Sequence, residues 1–143
     1  MPQVSPPLAS LLHYGLRALA AQPKPWAAAA GRCTAVEADA AAFLANLTAP
    51  QGGGGGCARP DVVYLNPCLT AIRKTDRADV FLQAVARLGP ISEGCFRSAL
   101  QAATRRVVLR IPAADDALAF SHGVPATRVV RGGQSNYHVF DCS

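Results

Sequence analysis

Two short aliphatic runs constrain this chain more than any other feature. Asp61–Asn66 reads DVVYLN and Arg105–Ile111 reads RRVVLRI. Both are valine-rich and of strand length, and DVVYLN is continuously apolar, the pattern of a strand buried on both faces. Helical stretches lie between them: ADVFLQAVARL sets Val80, Phe81, Ala84, Val85 and Leu88 on one face, and EGCFRSALQAAT is a second helix. Upstream, LASLLHYGLRALAAQ places Leu8, Leu11, Leu12, Leu16 and Leu19 at helical spacing after Pro6-Pro7. Ser5 can cap that helix, prolines suit its first turn, and Pro23 and Pro25 stop it. RCTAVEADA is expected as another short strand and AAAFLANL as a short helix, while ATRVVRG and SNYHVFD form a terminal strand pair meeting at Gly132-Gly133. Strands alternating with helices imply an α/β layered fold with a mostly parallel sheet, closed by an antiparallel hairpin.

The 143 residues suit one domain spanning 1–143. Half of them are hydrophobic, but many are alanine and only 6% are aromatic, so the core is expected to be thin. Residues 49–59 enclose the glycine run Gly52–Gly56, read as a flexible insertion. The run lacks the lysine-hydroxyl pair and the following helix that a phosphate loop requires. The five cysteines are widely spaced with no CxxC and no zinc-ligand pattern, which favours incidental thiols in a reducing compartment and no metal. No apolar run has membrane-spanning length and the start has no signal-peptide form, so the expectation is a soluble protein of the cytoplasm or an organelle. A formal charge of +5 suits an anionic partner, without naming it, and suits a merely solvated basic surface equally well.

In a parallel sheet, ligands sit at the carboxyl ends of strands, which draws attention to Asp39 and Asn66-Pro67. An Asn-Pro at a strand end is a rigid loop bearing a side-chain carbonyl, able to accept from an exocyclic amine and steady its developing charge during methyl transfer. Taken alone, Asn-Pro reads first as a turn initiator and strand terminator, and an isolated Asp39 first as a cap for the next helix. Arg73, Lys74 and Arg77 follow the loop; Arg105, Arg106 and Arg110 flank the next strand; and Arg128 and Arg131 lie in the terminal pair. Such groups meet RNA phosphates or merely solubilise a surface. His13, His122 and His138 lie on separate elements with no nucleophile beside them, which sets a hydrolytic triad aside.

Several stretches resemble one family, the bacterial small-subunit ribosomal RNA guanine-N2 methyltransferase J group, class I enzymes that use S-adenosylmethionine. RPDVVYLNPCLT is similar to the family's strand leading into Asp-Pro-Met-Phe-Pro, and ATRRVVLRIP to its Thr-Lys-Arg-Val-Val-Val-Lys-Arg-Pro segment. SPPLASLLHYGL resembles its Asn-Pro-Val-Val-Ala-Ala-Leu-Leu-Asp-Asp-Gly-Leu helix, and RGGQSNYHVF more loosely its closing hairpin. The resemblance implies a partial Rossmann-like sheet and a role in methylating rRNA. It assigns Asn66 and Pro67 to catalysis, and Gln3, Asp39, Ala40 and Asn66 to S-adenosylmethionine. Arg73, Lys74 and Arg110 would meet RNA phosphates. Leu69 stands where the family has an aromatic that stacks on the base, and Thr70 where it has proline.

In the family the strand order is 3-2-1-4-5-7-6, and this chain begins where the second strand ends. The expectation is therefore a form truncated at the N-terminus, lacking the first two strands and the glycine-rich cofactor loop. Two readings follow. One is a methyltransferase, completed by a missing segment or a partner that supplies the strands. The other is a non-catalytic RNA- or protein-binding α/β remnant.

Overall fold

The computed structural model describes residues 6–48, 58–67 and 91–142. The chain divides into two compact units, one holding the described residues 6–39 and the other holding 40–48, 58–67 and 91–142. The expected helix at 78–88, the glycine run and Ser5 lie outside the described residues.

In the first unit, helix α1 spans Pro6–Ala20. Its prolines sit in the first turn, where no intrahelical partner is missed, and Arg17 lies in the last turn, where its charge opposes the carbonyl end of the dipole. A second, short helix, α2, spans Ala27–Ala30 and packs with α1, closing as the Gly31 N–H donates to the Ala27 carbonyl at 2.9 Å. The segment expected as a strand, Arg32–Asp39, is irregular instead. A strand needs a ladder, and no described strand runs beside this one; Thr34, Val36, Glu37 and Ala38 are exposed.

The second unit holds the sheet. Helix α3 (Ala40–Thr48) packs on α4 (Glu93–Ala102), and α4 lies on strands β1 (Val62–Leu65) and β2 (Arg106–Pro112). A one-turn helix α5 (Ala117–Phe120) leads to strands β3 (Arg128–Arg131) and β4 (Ser135–Asp141). The sheet order is β1-β2-β4-β3. Strands β1 and β2 are parallel, with Val63 beside Val107 and Leu65 beside Leu109. Strand β4 pairs antiparallel with β2 and with β3, and the β3–β4 hairpin turns at Gly132-Gly133 as expected. Among the described strands, then, a single pairing is parallel and the other pairings are antiparallel.

Helix α4 carries the core because its apolar residues fall on one stripe. Cys95, Phe96, Ala99 and Ala102 are buried, while Ser92 caps the start by accepting from the Cys95 N–H at 3.2 Å. The small side chains let the helix approach the sheet, and Phe96 fills the space left, meeting Phe140 edge-on at 5.1 Å. Facing it are Val63, Leu65, Val107, Leu109 and Ile111. The reading of DVVYLN as buried on both faces is corrected here. Val63 and Leu65 are 9% exposed, but Val62 is 47% and Tyr64 54% exposed. A valine-rich run reports strand propensity whichever face it occupies, so it does not by itself require two covering layers.

Candidate functional site

Strand β1 stops because Pro67 has no N–H to extend the ladder, leaving Asn66 exposed and Pro67 buried. The parallel register that sets Leu65 beside Leu109 carries Asn66 to the side of Arg110. There the Arg110 Nη1 donates to Asn66 Oδ1 at 3.4 Å, a long contact, and its Nε donates to Ser135 Oγ at 3.1 Å. Ser135 is 6% exposed and opens β4, so it anchors the half-buried guanidinium from within. Three strands thereby build one small polar rim: the end of β1, the last turn of β2 and the start of β4.

The rim offers a carbonyl acceptor next to a fixed cation. An amide oxygen has two lone pairs, so Asn66 can accept from a second donor while Arg110 occupies one of them. Pro67 restricts the backbone behind it, which keeps that oxygen in place. Arg110, expected to meet RNA phosphates, is placed here against Asn66 and Ser135. Ser135 itself carried no signal in the sequence; only strand register brings it to this rim.

The other candidate residues fall elsewhere. Ala40 is the first residue of α3, and Asp39 directly precedes it, in the position of a helix cap. Gln3, Arg73 and Lys74 lie outside the described residues, as do Arg77, Leu69 and Thr70. The described arginines of the sheet are distributed over it: Arg106 reaches Asp141 at 4.0 Å, while Arg128 and Arg131 are exposed on the edge strand β3. Arg59, at the end of the expected insertion, donates to the carbonyls of Gln101, Ala102 and Ala103 and so closes the C-terminus of α4.

Two titrating groups, one on β4 and one just beyond its end, are displaced by burial. His138 on β4 is held below its ordinary pKa of 6.5 by desolvation. Desolvation pushes the Cys142 thiol up, outweighing the backbone N–H of Val107 that favours its thiolate. Neither touches Asn66 or Arg110 in a hydrogen bond. Among the described residues no group of three or more His, Cys, Asp or Glu is placed to hold a metal ion, and no helix is long and apolar enough to cross a membrane.

The strand order decides the fold. Numbered by the class I methyltransferase scheme, β1-β2-β4-β3 is 4-5-7-6, the last four strands of that sheet in their order. Comparison with solved structures agrees: the chain is similar to a SAM-dependent methyltransferase from Neisseria gonorrhoeae, with 23% identity and a TM-score of 0.65. The chain carries a portion of a class I methyltransferase fold. The match covers 95% of this chain and 49% of the other, so the chain spans about half the length of that structure. No family model matches the sequence, and no curated protein matches it. Within the methyltransferase fold, Asn66-Pro67 sits at the carboxyl end of the fourth strand and Arg110 near that of the fifth.

Proposed function

We propose that this chain is the C-terminal portion of an S-adenosylmethionine-dependent methyltransferase whose target is the N2 amine of a guanine in small-subunit rRNA. The observation that carries the reading is Asn66-Pro67 at the end of β1, in a sheet of 4-5-7-6 order, with its carbonyl oxygen on the exposed rim. Asn66 Oδ1 accepts one amine hydrogen, which points the nitrogen lone pair away from the carbonyl and steadies the positive charge that grows on nitrogen. Pro67 holds the loop. S-adenosylmethionine supplies the electrophilic methyl group when bound.

The donor set suits an adenine-bearing cofactor. Asp39 brings a carboxylate and Ala40 the first backbone N–H of α3, the acceptor and donor that an adenine edge requires. Gln3 would hold the ribose through its side-chain amide. Arg73 and Lys74 would supply the positive charge that RNA phosphates demand, Arg110 would add its charge at the rim beside Asn66, and the sequence charge of +5 agrees in sign. Partners are then the rRNA and whatever segment completes the sheet beside β1.

A direct test is calorimetry of the chain with S-adenosylmethionine, alongside methyl incorporation into small-subunit rRNA. Heat of binding, and incorporation that Asn66→Ala abolishes, are expected once the sheet is complete. Absence of binding at millimolar cofactor removes the chain as a cofactor-binding unit by itself. If the chain then binds an rRNA fragment with strong salt dependence, the non-catalytic RNA-binding reading stands in its place.

A further inference from the structure

We propose that Arg110 determines specificity at this rim, reading the ring nitrogen that neighbours the target amine and so bringing guanine in by its N2–N3 edge. The inference rests on the reading of Asn66 as the amine's acceptor and goes beyond it.

A guanidinium carries five N–H donors. The Nε donor goes to Ser135 Oγ at 3.1 Å and one Nη1 donor to Asn66 Oδ1 at 3.4 Å, which leaves three without a partner among the described residues. Asn66 Oδ1 keeps one lone pair. The rim therefore displays an acceptor and, in contact with it, donors of fixed direction. The complementary ligand edge has an amine donor and a ring acceptor on the same carbon. In guanine that carbon is C2, and the two edges it offers are not equivalent. On one side the amine neighbours N3, an acceptor that suits Arg110. On the other it neighbours N1–H, a donor that would face the guanidinium and leave both groups unpaired. The geometry thus selects the N3 side.

The anchoring supports a reading role over a floating phosphate contact. Arg110 is half-buried, and Ser135, which holds its Nε, is 6% exposed. A side chain tied at its Nε presents its remaining donors in one plane, which is useful for a flat base edge. A lysine would bring charge without that plane.

The test uses the chain labelled with nitrogen-15 and three nucleotides that share one phosphate: the 5′-monophosphates of guanosine, inosine and 3-deazaguanosine. Inosine lacks the amine, and 3-deazaguanosine keeps the amine but replaces N3 by C–H. The side-chain carboxamide signals of Asn66 report occupancy, and titration gives affinities. The expected order places guanosine first, with 3-deazaguanosine about 5- to 10-fold weaker. In Arg110→Ala, and to a lesser degree in Arg110→Lys and Ser135→Ala, that preference for N3 disappears while the preference over inosine persists. Should a variant fail to fold, the parent and 3-deaza ligands compared on the unaltered chain still decide. Guanosine favoured over inosine but bound equally with 3-deazaguanosine overturns the role of Arg110 and leaves the amine reading of Asn66 standing. Arg110→Ala weakening all three ligands alike makes Arg110 a phosphate contact and also overturns it. No discrimination among the three and no shift at Asn66 remove both readings together.

Discussion

Replacing Phe96 by alanine tests whether α4 is seated on the sheet as described. Phe96 is 0% exposed and is the largest fully buried side chain among the described residues. It projects from α4 onto Phe140, with ring centroids 5.1 Å apart and an interplanar angle of 78°, and it lies 6.3 Å from the His122 ring. Truncation removes nearly a full aromatic burial and leaves a cavity ringed by Val107, Leu109 and Phe140, whose main chains are tied by the β2–β4 ladder. The expected loss is about 4 kcal/mol, a large share of the roughly 5–15 kcal/mol that a domain has to lose. Some of it belongs to the edge-to-face pair, so a double-mutant cycle with Phe140→Leu should return a coupling of about 0.5–1.5 kcal/mol. Urea unfolding followed by far-UV circular dichroism reads both quantities, since the only tryptophan, Trp26, lies in the other unit. A loss below about 1 kcal/mol at unchanged urea slope would refute the seating of α4. A zero coupling would refute the ring geometry alone.

Gly132→Ala should destabilise the hairpin by about 1–3 kcal/mol, because a Cβ there meets the Ser135 carbonyl oxygen at 2.6 Å; Gly133→Ala, with open space around it, should leave the melting temperature unchanged. Arg59→Met, which keeps the stem and removes the donors to Gln101, Ala102 and Ala103, should cost about 1–2 kcal/mol in urea titration, and Arg59→Lys should recover only some of it. For His138, whose pKa burial lowers from 6.5, the unfolded chain binds the proton first as pH falls. Stability is then full above the ordinary histidine pKa and declines below it, so unfolding measured between about pH 5 and 7 should show a slope that His138→Gln flattens. An identical slope in both proteins would contradict the burial of that ring.

Much of this architecture is legible in the residues. Helix α1 is written in its leucine spacing and its bracketing prolines, and the hairpin in Gly132-Gly133. These signals are local: a periodic stripe or a turn residue acts within a few positions of itself. The segment Arg32–Asp39 has equally good strand chemistry and forms no strand, since a ladder is a property of two segments and not one. Likewise DVVYLN identifies a strand but not how many of its faces are covered. Asn66-Pro67 could be singled out because proline must end the ladder there, which places a polar side chain on a rim.

What no reading along the chain supplies is the neighbour of that side chain. Asn66 and Arg110 stand 44 positions apart and Ser135 a further 25 beyond Arg110. Their meeting follows from one parallel register between β1 and β2 and one antiparallel register between β2 and β4. The sequence by itself determined the leucine helix α1, the turn at Gly132-Gly133, and that β1 would end in an amide at a proline. The tertiary structure alone decided that a guanidinium, tied to a buried hydroxyl, lies against that amide. Strand pairing joins residues by hydrogen-bond register across the sheet, a distance on which sequence separation has no bearing.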